Sequence, residues 1–247
     1  MSFNPHVTEG RKPRLLSRGG FTDIRGHGAA IAFLKRSAAK GRLANAYIFC
    51  GPGGIGKKLT ALNFAKMINC QKPDEEMGCD RCPSCKKIDS LNHPDVRLVA
   101  PEKKGASVTI DDIRVIIKDI GLKPYEAKTK VYIIDEADSL TEEAANALLK
   151  TLEEPSLDST LILITENPGR LPPTIRSRCQ SVKFFPLDTA AIEDVLAVSH
   201  NVERVKARVL AKISGGRVSE ALKLKDYDYF SKREHIIKTL LSGTLSD

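Results

Sequence analysis

The chain has 247 residues, 41% of them hydrophobic and 28% charged, with a formal net charge of +8. That suits one sizeable α/β domain and a smaller second domain rather than a disordered or fibrous chain. No apolar run approaches the ~18 residues that cross a bilayer, and Met1-Ser2-Phe3-Asn4-Pro5-His6 lacks the apolar stretch of a signal peptide, so no membrane partner and a cytoplasmic location are expected.

In chain order, residues 1–20 read as a basic N-terminal arm without periodicity. Residues 1–60 carry eleven Lys or Arg against Glu9 and Asp23, which suits either a polyanionic partner or a solvated face. A helix is expected over 29–40. The apolar run Ala46–Cys50 reads as a buried strand, followed by a glycine-rich loop and a helix over 59–69. Residues 70–95, with Gly78, Pro83 and Pro94, interrupt the pattern. A strand is expected at Val96–Val99. Thr109 to Asp112 resembles a capping box before a helix whose face carries Ile110, Ile113, Ile117 and Ile120. Further strands are expected at 131–134, 161–164 and 182–185, with helices at 142–152 and 174–177. After Pro186 only helices are expected, over 190–198, 202–213, 219–224 and 231–241. The alternation predicts a parallel α/β domain over 21–186 and an all-helical domain over 187–247.

Three motifs carry chemistry. Gly51-Pro52-Gly53-Gly54-Ile55-Gly56-Lys57-Lys58 has the G-x-x-x-x-G-K spacing of a P-loop between a strand and a helix. Gly51, Gly54 and Gly56 let backbone N–H groups converge on phosphate oxygens, and Lys57 would reach the β- and γ-phosphates. The bland alternative is a plain glycine turn. The next position should be a Mg²⁺-binding Ser or Thr but is Lys58. Its ammonium either takes the metal's place or runs out to solvent. The strand before Asp135 and Glu136 has the Walker B pattern, with Asp135 for Mg²⁺ and Glu136 for the attacking water. Finally, Cys70-x₈-Cys79-x₂-Cys82-x₂-Cys85 offers four thiolates at the spacing of a structural zinc site. Free thiols, a redox pair and an iron–sulfur cluster are the alternatives. Cys50 reads as a core residue.

Two more segments carry a resemblance. Asn146-Ala147-Leu148-Leu149-Lys150-Thr151-Leu152-Glu153-Glu154-Pro155 and Thr174-Ile175-Arg176-Ser177-Arg178-Cys179 resemble the post-Walker B helix and the Ser-Arg-Cys motif of the AAA+ clamp-loader subunits of bacterial DNA polymerase III, gamma/tau and delta-prime. The four-cysteine insertion after the P-loop helix is similar to theirs. The resemblance covers roughly residues 21–185. It implies an AAA+ P-loop domain with a zinc module at 70–85 and a helical lid domain. It also implies partners: gamma/tau and delta subunits in a hetero-pentamer, and the sliding clamp and primed DNA through that complex. Arg178 would be an arginine finger in a neighbour's ATP site, or else a surface ion pair.

Within that family, three positions depart from a hydrolysing site. Lys58 replaces the metal-binding hydroxyl. Glu166 stands where motor subunits carry Thr or Asn. Ser219 stands where they carry Arg, with Arg217 two positions away. The pattern resembles delta-prime, for which weak ATP or ADP binding, uncertain Mg²⁺ use and little or no hydrolysis are expected. The alternatives are a gamma/tau-like motor and a zinc-dependent nucleic-acid module. The delta-prime family's helical collar domain is expected to be absent from a chain ending at Asp247.

Overall fold

The computed structural model describes residues 24–73, 78–103, 105–227 and 229–241. The basic arm expected over residues 1–20 lies outside them. Strands β1 (Ala46–Cys50), β2 (Val96–Val99), β3 (Lys130–Ile134), β4 (Ser159–Thr165) and β5 (Gln180–Lys183) form one sheet in the order β2-β3-β4-β1-β5. Every neighbouring pair is parallel. All carboxyl ends therefore share one edge of the sheet, where ligands bind in open α/β folds.

Burial explains the order. β1, β3 and β4 are buried at every position, as strands covered on both faces must be. β2 and β5 are partly exposed and carry Arg97 and Lys183, charges that blunt a sheet edge. The period of two in β1 sends Ala46, Ile48 and Cys50 to one face and Tyr47 and Phe49 to the other. The first set joins a core with Tyr132, Ile134, Leu161 and Leu163, covered by helices α4 (Ile110–Ile120) and α5 (Glu142–Glu153). On the second face Tyr47 meets Phe64 edge-to-face at 5.5 Å. Phe64 belongs to α2 (Lys57–Asn69), which packs beside α1 (Gly28–Ala39). Each fully buried Ile or Leu contributes roughly 1.5–3 kcal/mol to this core.

The expected pattern differs in detail. Residues 70–95 are not uniformly irregular: α3 (Pro83–Asp89) begins there, with Pro83 in the first turn, where its missing N–H costs nothing. In α4 the buried face is Ile113, Ile116 and Ile120, while Ile110 and Ile117 lie at its margin. The last strand runs from Gln180 to Lys183 rather than over 182–185. A four-residue helix, α6 (Pro173–Arg176), precedes it.

The chain divides into two compact units, with the break between Phe185 and Pro186. The second is helical: α7 (Thr189–Asp194), α8 (Arg204–Ile213), α9 (Val218–Asp226) and α10 (Tyr229–Leu241). Asp188 caps α7 by accepting from the Ala191 N–H at 2.6 Å. A π-helical turn over Val195–Ser199 replaces the end of the helix expected to reach 198. Ile192, Leu196, Ala207, Leu210, Ala211 and Ala221 form this unit's core. Gly216, at φ +79°, accepts the Leu187 N–H on its carbonyl at 3.0 Å. A Cβ there would strike Pro186.

One buried charge ties the cysteine-rich insertion to the sheet. The Lys66 side chain on α2 is fully buried, and its Nζ meets Asp80 Oδ1 at 2.5 Å and Asp89 Oδ1 at 2.9 Å. Burial works against its charge, but the two carboxylates outweigh it and hold the lysine above its ordinary pKa. Removing one partner of a buried ionic group is strongly destabilising, whereas replacing the whole group by neutral residues is often nearly neutral. Lys66→Met should lower the unfolding free energy by about 3–5 kcal/mol. Adding Asp80→Asn and Asp89→Asn should restore most of that loss. Denaturant melts of the single and triple variants check this: a wild-type midpoint for Lys66→Met contradicts it.

Candidate functional site

The P-loop joins the end of β1 to the start of α2. Gly51 runs so close to β5's exit that a Cβ would collide with the carbonyl of Phe184. Gly54 and Gly56 have φ of +72° and +106°, and Gly56 caps α2. Glycine alone adopts these conformations without strain. The loop and the first turn of α2 thus present backbone N–H groups and the positive helix end to one point. His27, missed in the sequence because no motif surrounds it, is buried just before α1. Its Nε2 lies 2.7 Å from the carbonyl oxygen of Ile55 and so braces the loop. Burial lowers its pKa, so near neutral pH the ring is uncharged and donates to that carbonyl.

Lys57 is buried, and its Nζ donates to Gly51 O and Pro52 O, each at 2.6 Å. Burial lowers its pKa, against the opposing pull of Glu166, Asp135 and Asp138. These carboxylates come from neighbouring strands. Asp135 follows β3 and Glu166 follows β4, whose Thr165 is paired with Cys50 of β1. Asp138, which no motif singles out, accepts the Glu166 N–H at 3.2 Å. Glu136 is exposed and takes the left-handed conformation at φ +50°, with its N–H on Asp135 Oδ1 at 3.1 Å. Side chains of that type at positive φ are uncommon and cluster at functional turns.

Lys58 does not run out to solvent. Its Nζ lies 2.7 Å from Asp135 Oδ2. A divalent ion here would need oxygen donors from the first turn of α2 and from Asp135, at about 2.0–2.1 Å for Mg²⁺. The helix supplies an ammonium instead, with no lone pair and a charge that repels a cation at short range. These residues do not fit a magnesium site of the ordinary P-loop kind. Glu166 is close on the other side: a Cβ on Gly53 would collide with the Glu166 carboxylate. The structure therefore brings together Gly51, Gly54, Gly56, Lys57, Lys58, Asp135, Glu136 and Glu166 at one sheet edge.

Arg178 stands apart from that group. It lies between α6 and β5, with Nη1 donating to Thr174 O at 3.0 Å and Nη2 paired to Glu153 Oε1 at 2.8 Å. Both partners are partly exposed, and such pairs are worth at most about 1 kcal/mol. The guanidinium is held in place at the surface yet can exchange its partner cheaply. Arg217 and Ser219 belong to the second unit, Arg217 at the cap of α9 and Ser219 in its first turn.

The four cysteine sulfurs, of Cys70, Cys79, Cys82 and Cys85, lie within 4.8 Å of one another, and Cys70 and Cys82 are 3.9 Å apart. Ligands about 2.3 Å from a tetrahedral zinc are separated by roughly 3.8 Å, so the group can close around one ion. Three N–H groups already point at sulfur: Cys79 to Cys70 and Cys82 to Cys79, both at 3.3 Å, and Cys85 to Cys82 at 3.5 Å. Such donors favour thiolate. At Cys82 burial pushes the thiol up, but the N–H groups of Cys85 and Gln71 prevail and bring it down to about 6. The cluster starts where α2 ends, a helix length of roughly 20 Å from the P-loop. Cys50 is a buried core residue, as expected.

Residues 26–188 match the family described as "DNA polymerase III, delta subunit". The chain is 43% identical over 209 residues to DNA polymerase III subunit delta' of Bacillus subtilis, covering 84% of this chain and 62% of that protein. It is 32% identical over 196 residues to the delta' subunit of Pseudomonas aeruginosa, covering 79% of this chain and 60% of that protein. The chain thus spans about three-fifths of the length of these relatives. In fold it is similar to the RuvB Holliday junction branch migration motor of Thermotoga maritima, with a TM-score of 0.58 at 19% identity over 87% of this chain and 65% of that one. A parallel sheet with a P-loop at its carboxyl edge, a cysteine insertion after the P-loop helix and these matches lead to one assignment: the chain belongs to the delta-prime family of DNA polymerase III clamp-loader subunits.

Proposed function

We propose that this chain works as the non-motor, delta-prime-type member of the clamp loader, taking part in ATP-driven loading of the sliding clamp onto primed DNA. In that role it assembles with gamma/tau and delta subunits in a hetero-pentamer in the cytoplasm. It lends Arg178 to a neighbour's ATP site and hydrolyses little or no ATP itself. The observation that carries this reading is the Lys58–Asp135 ion pair at 2.7 Å. It removes the residues that would hold a metal ion, while Arg178 stays on the surface in a weak pair with Glu153. A gamma/tau-like motor keeps Lys57, Asp135 and Glu136 but needs a metal ligand where Lys58 stands. The roles of Asp135 and Glu136 are accordingly structural here: Asp135 binds Lys58, and Glu136 shapes the turn after β3.

A positive guanidinium aimed at a transferring phosphoryl group stabilises the transition state, worth about 10³–10⁵ in rate for such fingers. Exchanging Glu153 for a neighbour's phosphate costs Arg178 little. In a reconstituted clamp loader, Arg178→Ala should leave assembly intact, reduce ATP turnover at one site and slow clamp loading by about tenfold or more. Wild-type loading by the mutant complex contradicts the finger.

We infer that the four cysteines hold one zinc ion as a structural cross-link, with no coordination position left for water. Elemental analysis should find about one zinc per chain. Cys82→Ser should lose the metal and lower the melting temperature. A metal-free, fully reduced protein of equal stability contradicts this.

A further inference from the structure

The strand order sets Glu166 in a telling position. β4 lies between β1 and β3, so the residue after β4 stands between the P-loop that follows β1 and Asp135 that follows β3. In a P-loop site the proximal phosphates rest on the N–H groups at the helix start, and the distal phosphate points from the lysine towards the metal-binding carboxylate. Glu166 is on that distal path. Its carboxylate is packed against Gly53, with no room left for even a Cβ. Its backbone N–H is held by Asp138 Oδ1 at 3.2 Å, which fixes the start of the side chain.

Each lysine on this path already faces carboxylates of its own chain. Lys58 is engaged by Asp135 at 2.7 Å. Lys57 faces Glu166, Asp135 and Asp138. A cleft of this kind holds within its own chain both a cation at the metal's place and an anion on the distal-phosphate side. The helix start, with Gly54, Gly56 and the N–H groups of α2, carries no acidic residue in its first turn and keeps its positive end.

We propose that the cleft is a nucleoside-diphosphate site, in which Glu166 is the specificity-determining residue that excludes the third phosphate. This rests on reading the cleft as the retained nucleotide site of a non-motor subunit. The proximal phosphates are taken by the helix start and by Lys57, which exchanges the carbonyls of Gly51 and Pro52 for phosphate oxygen. A triphosphate brings an additional charge to the place where the Glu166 carboxylate sits. It must either displace that carboxylate or meet it at close range, and with Lys58 on Asp135 the residues do not fit the divalent ion that offsets this repulsion in an ordinary P-loop site.

Calorimetric titration of the full chain with ADP and with ATP, both in a chelating buffer, tests the proposal on wild type and on Glu166→Gln. The amide keeps the side chain's size and removes its charge, and thermal melts confirm that the variant is folded. Wild type should bind ADP about tenfold or more tightly than ATP. In the variant, ATP should gain most of that factor while ADP changes little. ATP binding to wild type as tightly as ADP overturns the proposal. So does an unchanged ratio in the variant, or a failure of ADP to bind wild type. Magnesium-dependent ATP turnover by wild type would sink the non-motor reading itself, whereas equal binding of both nucleotides without turnover would sink only the diphosphate assignment.

Discussion

The ion pair between Lys58 and Asp135 decides how the carboxyl edge of the sheet can be charged. Parallel strands deliver their ends to one place, and here those ends bring Asp135, Glu136, Asp138 and Glu166 together. In a hydrolysing P-loop site a divalent ion offsets such a concentration of negative charge. In this chain the offset comes from side chains on α2. Lys58 sits directly on Asp135, and Lys57 feels the pull of Glu166 and Asp138 while bonded to the loop's own carbonyls. The two ammonium groups thus offset part of the negative charge from within the chain. Fixed ammonium groups can face an anion but lack the movable double charge that phosphoryl transfer uses.

The same α2 helix links the two ends of the domain. Its first turn follows the P-loop, and its last turn leads into the cysteine cluster. Lys66 on that helix, its own side chain fully buried, binds Asp80 and Asp89 of the insertion. Asn69, at its end, accepts the N–H groups of Lys128 and Thr129, both at 3.0 Å, and donates to Thr129 O at 2.9 Å, fixing the chain that enters β3. Asp95 does the same for the preceding turn by accepting from Tyr125, Glu126 and Ala127, each at 2.8 Å. Asn69 and Asp95, on either side of the insertion, accordingly brace the base of the sheet, at the end of α2 away from the P-loop.

How far the sequence could be read depended on whether a feature was local. A continuous apolar strand running into Gly51-Pro52-Gly53-Gly54 reveals a P-loop because the strand, the loop and the helix start are contiguous. The Cys70, Cys79, Cys82 and Cys85 spacing likewise needs only a short stretch of chain. α3 escaped notice because Gly78 and Pro83 read as breakers, although proline in a first turn is a helix-start signal. Lys66 was invisible because a lone lysine on a helix reads as solvated; its burial depends on acids fourteen and twenty-three residues later in the chain. The destination of Lys58 and the contact of Glu166 with Gly53 both depend on which strands are neighbours. Composition and periodicity do not give the insertion of β4 between β1 and β3.

The central claim is that a fixed ammonium stands where a metal ion would, and the dependence of nucleotide binding on magnesium tests it most directly. ADP is titrated into wild type and into Lys58→Thr, each with excess Mg²⁺ and with a chelator. The account predicts that wild-type affinity differs by less than about tenfold between the two conditions, while the threonine variant, given back an oxygen ligand beside Asp135, becomes magnesium-dependent. Wild-type affinity that rises by more than about tenfold with Mg²⁺ would contradict it, because Asp135 would then be releasing Lys58 to bind the metal.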